Sequence, residues 1–458
     1  LLSQTDAEGK ITRFEYDDLK RLVKTIDPLG GVTERRYDDR NNLLEVKDPN
    51  NGLTRNEYDR NNRLIKFVRP MGQETTYEYD AAGNRTAVLN AKGQKVAYVY
   101  DEANHLVGIN YFAVGDHSTP IKTVTFSYDA LGNMVAYDDG TTSATYTYDD
   151  LQRKTGESVN YGSFTLGYSY AYYANGLKKS FTGPDGAPYA YSYDANNRLA
   201  GITFPGQGQL TYNSYLWNSP LKRTMPGGVT REYRYDPLMQ VASLSGKDPL
   251  QNVLMAHDYK YSPTGNITEK GTQSGEYSYQ YDALSRLTEA TGPVSATVSY
   301  TYDALGNRLT ASGVVGNWEY NENNELNSYG DVSLDYDQNG NTILKTIGGV
   351  QTTYAYNVED RLTEVSNGAG TVLARYYYDP FGRRLWKDVG GVRTNFLYAD
   401  EGLIGEYDAA GIEIKSYGYV PNSTWTANPL FQKIGSAYYW YQNDRLGTPQ
   451  KIVDSAGG

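Results

Sequence analysis

Tyr-Asp occurs at Tyr16, Tyr37, Tyr58, Tyr79 and Tyr100, each copy 21 residues after the last. A period of that length held over five units marks one supersecondary unit repeated in tandem, so the 458 residues are read as an array before they are read as two or three ordinary domains. Later copies drift in spacing, at Tyr128, Tyr148, Tyr193, Tyr235, Tyr281, Tyr302, Tyr336 and Tyr378, with degenerate forms at Tyr261 and Tyr356.

Four residues after each Tyr stands Asn41, Asn62, Gly83, Asn104, Gly132, Gly176, Asn197, Gly265, Gly306, Gly340 or Gly382. Asn and Gly tolerate positive φ. With an Asp at the first corner (Asp17, Asp38, Asp59, Asp80, Asp101), the pattern predicts a type I turn closed by a left-handed residue, a common hairpin connection. Lys20, Gln152, Met239 and Ser285 occupy the same place without that chemistry, and there the turn signal lapses. A second turn sits midway, starting at Asp6, Asp27, Asp48, Arg69 and Asn90. Between turns lie short runs such as KITRFEY, RLVKTI, RLIKFV and QKVAYVY, rich in β-branched and aromatic residues. No stretch sustains a helical stripe over eleven residues. The reading is an antiparallel β-meander with two strands per repeat of about 21 residues.

Alternation along the strands separates two faces. Arg13, Glu15, Glu74 and Glu78 share the face predicted to be solvated. Phe14, Tyr16, Tyr77, Tyr79, Tyr98 and Tyr100 share the other. In the returning strands Val23, Leu44, Ile65 and Val107 align with Thr25, Val46, Phe67 and Ile109, and that side is predicted to be buried. Tyr in place of Phe suits a half-wet wall, since its ring packs while its hydroxyl reaches water or a polar partner.

Size bears on architecture. About 22 two-stranded units at ~4.8 Å spacing would extend a flat sheet on the order of 210 Å, and twisted sheets beyond about ten strands curl, split or close. Separate sandwiches need linkers, and the repeat shows no Pro/Ser-rich pause; its longest interruption, Ile109 to Thr123, reads as one extended loop. The expectation is therefore all-β: tandem antiparallel hairpins forming a long coiled sheet, a spiral wall that is part of a hollow β-shell.

Composition removes several function classes. A net charge of -11 argues against nucleic acid, which is bound through clustered Lys and Arg. The absence of Cys excludes a disulfide framework and thiolate metal sites. His105, His117 and His257 are scattered without metal-ligand spacing, and PGQGQL at Pro205 lacks the glycine spacing and following helix of a phosphate loop. The acidic corner at Tyr137 is a conceivable Ca²⁺ contact but reads more simply as an exposed turn. Asn84, Asn266 and Asn422 begin glycosylation sequons, a pattern with a high chance rate. The N-terminal decapeptide has no leader-like pattern and no later run is long enough to span a bilayer; the lack of an initiator Met suggests a piece of a longer polypeptide.

The motifs YDALGNRL at Tyr302, YDANNRL at Tyr193, YDAAGNR at Tyr79 and YDPFGRRL at Tyr378 resemble the YD repeats of the Rhs family of bacterial polymorphic toxins. Similar repeats occur in the C component of insecticidal Tc complexes and in teneurins. The closing stretch Tyr438 to Gly458, with Asp444, Leu446, Gly447, Thr448, Pro449, Asp454 and Gly457, resembles the passage that ends the Rhs core. On this basis residues 1–400 form the repeat array, most regular over 1–110 with a loop near 110–123, and residues 401–458 form the C-terminal end of the core.

The resemblance implies a noncatalytic shell segment that encapsulates a C-terminal effector for delivery to a target cell, often through a type VI secretion spike. The implied partners are that toxin domain, the remaining shell repeats and a secretion spike or chaperone, with no nucleic acid and no membrane span. Localisation is then bacterial, secreted or delivered by a secretion system, and cytoplasmic before export. The family's self-cleavage motif follows the core, beyond Gly458, so no catalytic, cofactor or metal residue is expected. The Tyr and Asp of each unit, with Gly83, Gly132, Gly306 and Gly382, are assigned to structure. The competing reading is a secreted or surface carbohydrate-binding or adhesion protein that stacks sugars on rows such as Tyr37, Tyr58, Tyr79 and Tyr100. Which sheet side carries these rings separates the two. Expressed alone, the fragment is expected to fray or associate at its terminal strands.

Overall fold

The computed structural model describes residues 1–458 and consists of strands and turns, with no helix. Its 43 strands run from Ser3–Thr5 to Pro449–Val453, and no helix is long and apolar enough to cross a membrane. Neighbours in sequence pair antiparallel: Ile11–Tyr16 meets Leu22–Ile26 with Arg13 opposite Ile26, and Leu22–Ile26 then meets Val32–Tyr37 with Lys24 opposite Glu34.

Each Tyr-Asp hairpin carries a register shift just before its Tyr, between Glu15 and Tyr16, Arg36 and Tyr37, Glu57 and Tyr58, and Glu78 and Tyr79. The cause is local. A type I turn plus one left-handed residue leaves one strand a residue longer than its partner, and the surplus is taken up as a bulge. The left-handed residue is Asn41 (φ 69°), Asn62 (61°) and Gly83 (97°). Lys20 (φ 63°), Gln152 (60°), Met239 (61°) and Ser285 (61°) adopt it too, although their side chains disfavour it. The lapse in turn signal at those four positions is therefore not a lapse in the turn. The Asp17 carboxylate accepts from the amides of Leu19 (3.0 Å) and Arg21 (2.9 Å) and holds the corner whatever residue fills position 20.

The chain divides into two compact units, each drawn from stretches far apart in sequence. The first comprises Leu1–Thr123, Tyr261–Glu269 and Glu276–Arg375; the second comprises Val124–Lys260, Lys270–Gly275 and Tyr376–Gly458.

In the first unit the predicted contrast between faces is shallow. Arg13, Glu15, Glu74 and Glu78 are exposed as expected, but the returning strands Leu22–Ile26 and Leu64–Val68 are half-buried at every position. Of the residues predicted to be buried there, Ile109 is (8% exposed), whereas Val23, Leu44, Ile65 and Val107 are half-buried. The extended loop read from Ile109 to Thr123 is shorter than that. Strand Leu106–Phe112 runs through Tyr111 and Phe112, both buried, and the next strand begins at Lys122.

Polar staples at turns hold this unit together. Mid-repeat turns of its first stretch meet Tyr-Asp-type turns of its last: Asn50 donates to Asp303 (2.7 Å), Arg69 pairs with Glu325, and the Lys92 ammonium reaches Asp337 (2.8 Å). Tyr111 closes the series on Glu359 (2.8 Å).

In the second unit side chains from Val124–Lys260 and Tyr376–Gly458 share a buried interior. Phe204 meets Phe431 at 5.2 Å and Trp440 at 5.1 Å edge-on, and Trp440 is fully buried. Tyr189 and Tyr191, 7% and 8% exposed, belong to the same region. The expectation of half-wet aromatic rows fits Tyr37, Tyr58 and Tyr79, and it fails here, where facing strands bury the rings instead. Beside this layer lies an ionic cluster. Glu157 accepts from Arg383 (2.8 Å) and Tyr168 (2.7 Å), while Glu401 accepts from Lys178 (2.6 Å) and Tyr170 (2.8 Å).

Candidate functional site

The chemistry that recurs along the chain is the Tyr-Asp corner. The Asp does several things at once. At Asp59 the backbone amide donates to the Arg63 carbonyl (2.9 Å), and one carboxylate oxygen accepts from the amides of Asn61 (2.8 Å) and Arg63 (2.9 Å). The other oxygen takes the Arg63 Nε at 2.7 Å. At Asp38 and Asp80 the fourth residue on is Asn42 or Asn84, whose amide replaces the guanidinium at 2.8 and 2.9 Å. Charge-stabilising hydrogen bonds favour the ionised form. They hold Asp17 and Asp59 below the usual carboxylate range chiefly through backbone amides, and Asp38 and Asp80 chiefly through the Asn side chains.

The Arg that caps one corner also grips the next. Arg63 extends a second nitrogen to the Asp80 carbonyl (2.7 Å), and its guanidinium lies over the Tyr79 ring, 4.8 Å from the centroid. Arg21 over Tyr37 and Arg286 over Tyr302 repeat the contact at 5.0 and 4.9 Å. The Tyr hydroxyl completes the link by donating backwards to a carbonyl at the start of the preceding returning strand: Tyr37 to Leu22 (3.1 Å), Tyr58 to Leu43 (3.1 Å), Tyr79 to Leu64 (2.8 Å) and Tyr100 to Arg85 (3.1 Å). The same bond recurs at Tyr193, Tyr235, Tyr302 and Tyr398. Each bond contributes about 1 kcal/mol and each cation–π contact ~0.5–1 kcal/mol. The gain lies in repetition along the array; at the Tyr407-Asp408 corner, by contrast, the hydroxyl is buried without such a partner.

The residues singled out from sequence fall on such corners. Gly83, Gly132, Gly306 and Gly382 take positive φ between 84° and 97°. Asp101 caps its turn and contacts His105 (3.0 Å), while Tyr16, at the first full hairpin, is 39% exposed. Asp444 accepts from Leu446 and Thr448 amides (2.9 and 3.0 Å), with Gly447 left-handed at φ 83° and Pro449 opening the strand opposite Asn443. Asp454 accepts from Ala456 and Gly458 amides (2.9 Å each), and Gly457 is left-handed at 92°. Asp444 and Asp454 thus both act as turn closers.

The acidic corner after Tyr137 is built alike. Asp139 is 3% exposed and accepts from the amides of Thr141 and Thr142, so its oxygens face the chain. His117 bonds the Gly93 carbonyl (3.0 Å) and His257 the Tyr259 hydroxyl (3.1 Å). Burial, aided by Lys270, pushes His257 down to about 4.

Sequence reading found neither the hydroxyl clasp nor the side chain that caps each corner Asp. The cap did leave a signal, the alternation of Arg and Asn four residues after the corner Asp, at Arg21, Asn42, Arg63 and Asn84.

Two family models match the chain. The one described as RHS Repeat matches residues 1–32, 16–55 and 58–95, and the one described as Teneurin YD-shell matches residues 250–458. No curated protein gives a match. Among solved structures, a mutant Tc holotoxin pore of Photorhabdus luminescens superposes with a TM-score of 0.70 at 15% identity, over 98% of this chain and 30% of that one. The TcdB2–TccC3 crystal structure with a TEV designation gives the same values. TcdB2–TccC3 without its hypervariable C-terminal region gives 0.68 at 16% identity, over 99% and 30%. The likeness is one of fold, and the chain spans under a third of the length of these structures.

Proposed function

This chain belongs to the Rhs/YD-repeat family, and from that premise we propose that it is a segment of a toxin shell wall whose work is mechanical: it helps enclose an effector until delivery and itself catalyses nothing. The observation that carries the reading is the hydroxyl-to-carbonyl clasp, repeated from Tyr37 to Tyr398. A binding protein needs a unique surface, whereas a wall needs identical joints at every course. The shell fold of the Tc structures supports the same reading, and by analogy the partners are other toxin components.

The adhesion alternative draws less support. Sugar stacking needs open ring faces, and Arg21, Arg63 and Arg286 cover Tyr37, Tyr79 and Tyr302. The test uses the full-length polypeptide. Electron microscopy is expected to show a hollow particle, and limited proteolysis to spare the effector segment until the wall is opened with denaturant. A solid particle, or an effector cut as fast as the free peptide, overturns the proposal.

A further inference from the structure

Strands Lys154–Asn160, Thr165–Tyr172 and Lys178–Thr182 lie side by side in the second unit, with Glu157 opposite Tyr168 and Tyr170 opposite Phe181. The turn between strands Val392–Ala399 and Gly402–Tyr407 brings Asp400 and Glu401 onto them from the other long stretch of that unit. The Lys178 ammonium stands 3.0 Å from Oδ2 of Asp400 and 2.6 Å from Oε1 of Glu401. It also lies over the Tyr170 ring, 3.7 Å from the centroid. The Lys178 and Glu401 side chains are 5% and 9% exposed. Tyr168 and Tyr170 are buried as well, and the buried Phe181 and Tyr191 line a cavity with Glu401.

The members of this cluster differ in what else holds them. Lys154, which reaches the other oxygen of Asp400 (2.6 Å), also has Glu157 (3.4 Å) and the Tyr168 hydroxyl (2.8 Å). Glu401 also accepts from the Tyr170 hydroxyl (2.8 Å) and the Asn422 amide (2.9 Å). Lys178 has the two carboxylates and the Tyr170 ring. Joining Lys178 to Asp400 therefore strands neither Lys154 nor Glu401, and it removes two charges from a site where burial penalises them.

We propose that Lys178 and Asp400 become joined by an intramolecular isopeptide bond, with Glu401 as the proton carrier. Glu401 takes one proton from the ammonium and gives it to a carboxylate oxygen of Asp400. The freed amine attacks Cγ of that carboxyl group. Glu401 then takes a second proton from the nitrogen and passes it to the same oxygen, which leaves as water. One N–C bond forms, one C–O bond breaks, nothing is oxidised or reduced, and Glu401 ends as it began. Held in contact, the two groups react at an effective concentration that no free encounter reaches, which offsets the poor balance of amide formation in water. The Asp400 side chain is 36% exposed, so the released water has a way out. The step is one self-modification without turnover. It adds a covalent tie between 124–260 and 376–458 and holds whether or not the wall encloses an effector.

The test is the mass of the full chain under denaturing conditions, followed by proteolytic mapping. The chain is expected to weigh one water less than its sequence, and the digest to contain a branched peptide linking Lys178 to Asp400. Mapping is needed because an Asp that cyclises onto its own backbone loses the same water. Lys178→Arg and Asp400→Ala are expected to keep the full sequence mass, and Glu401→Gln to form at least tenfold less of the bond in the same time after synthesis. A wild-type chain at full sequence mass, a lost water without the branched peptide, a branch from Lys154 in place of Lys178, or undiminished bond formation in Glu401→Gln overturns the proposal. Should a variant not fold, the wild-type mass and map decide the matter alone.

Discussion

At the scale of single residues, the repeat depends on groups that do two jobs. Tyr79 packs its ring under Arg63 and commits its hydroxyl to Leu64. Tyr79→Phe is expected to cost about 1 kcal/mol while keeping the ring contact, read as faster amide exchange confined to residues 64–84. The corner carboxylates set an acid limit. Their pKa values are depressed in the folded state, so their stabilisation is present above the ordinary carboxylate pKa and is lost as pH falls through the lower folded values. Acid unfolding should therefore set in below about pH 4, and Asp80→Asn should flatten its local share, monitored by amide exchange near residue 80. His257 acts in a higher window. Its folded pKa of about 4 lies beneath the unfolded value, so the unfolded chain binds the extra proton and stability falls as pH drops from about 6.5 towards 4. The full effect is on the order of 2–3 kcal/mol, and His257→Gln should remove that slope from denaturation midpoints. The corner itself was legible because Asp, Gly and Asn have strong local preferences. The clasp was not, because it joins residues 15 apart through a backbone carbonyl, and a carbonyl leaves no trace in residue identity.

At the scale of the element, the hairpins show how far local propensity can be overruled. Met239 sits left-handed at φ 61° and still turns the chain, since Asp236 accepts from the amides of Leu238 (2.9 Å) and Gln240 (2.8 Å). A left-handed conformation costs a side-chain-bearing residue ~1–2 kcal/mol, offset in Gly by about 0.5–1 kcal/mol of unfolded-state entropy. Met239→Gly is therefore expected to stabilise the hairpin by a few tenths to about 1 kcal/mol, visible as a raised denaturation midpoint. The converse lesson comes from Ile109 to Phe112, where a run of mixed residues reads as loop and forms strand. Burial of Tyr111 and Phe112 against the rest of the unit decided it, and burial of that kind is a tertiary fact.

At the scale of the molecule, the two units are held by different physics. The first relies on turn-to-turn polar staples, each worth little alone, and the second on buried rings and paired charges. Native-state hydrogen exchange should accordingly show deeper protection in 124–260 and 376–458 than in 1–123 and 276–375. In the second unit, Arg383→Met strands Glu157, whose side chain is 1% exposed, and Asp379, which is fully buried. It should cost about 3–5 kcal/mol, with partial recovery on adding Glu157→Gln, measured by chemical denaturation. The period announced an all-β array, but nothing in it announced that residues near 157 and 383 would meet. That juxtaposition depends on how the sheets come together, and each repeat encodes only its immediate neighbours.

The staple between Lys92 and Asp337 joins residues 245 apart. At a ribosomal pace of about 5–20 residues per second, the early hairpins wait roughly 10–50 s before their locking partners exist. Throughout that interval they stand as a half-finished edge in the crowd of the cell, open to neighbours of like sequence on the same messenger. Translation speed across the middle of the chain is thereby a determinant of yield, and slowing codons placed between residues 100 and 330 should raise the fraction of product that aggregates.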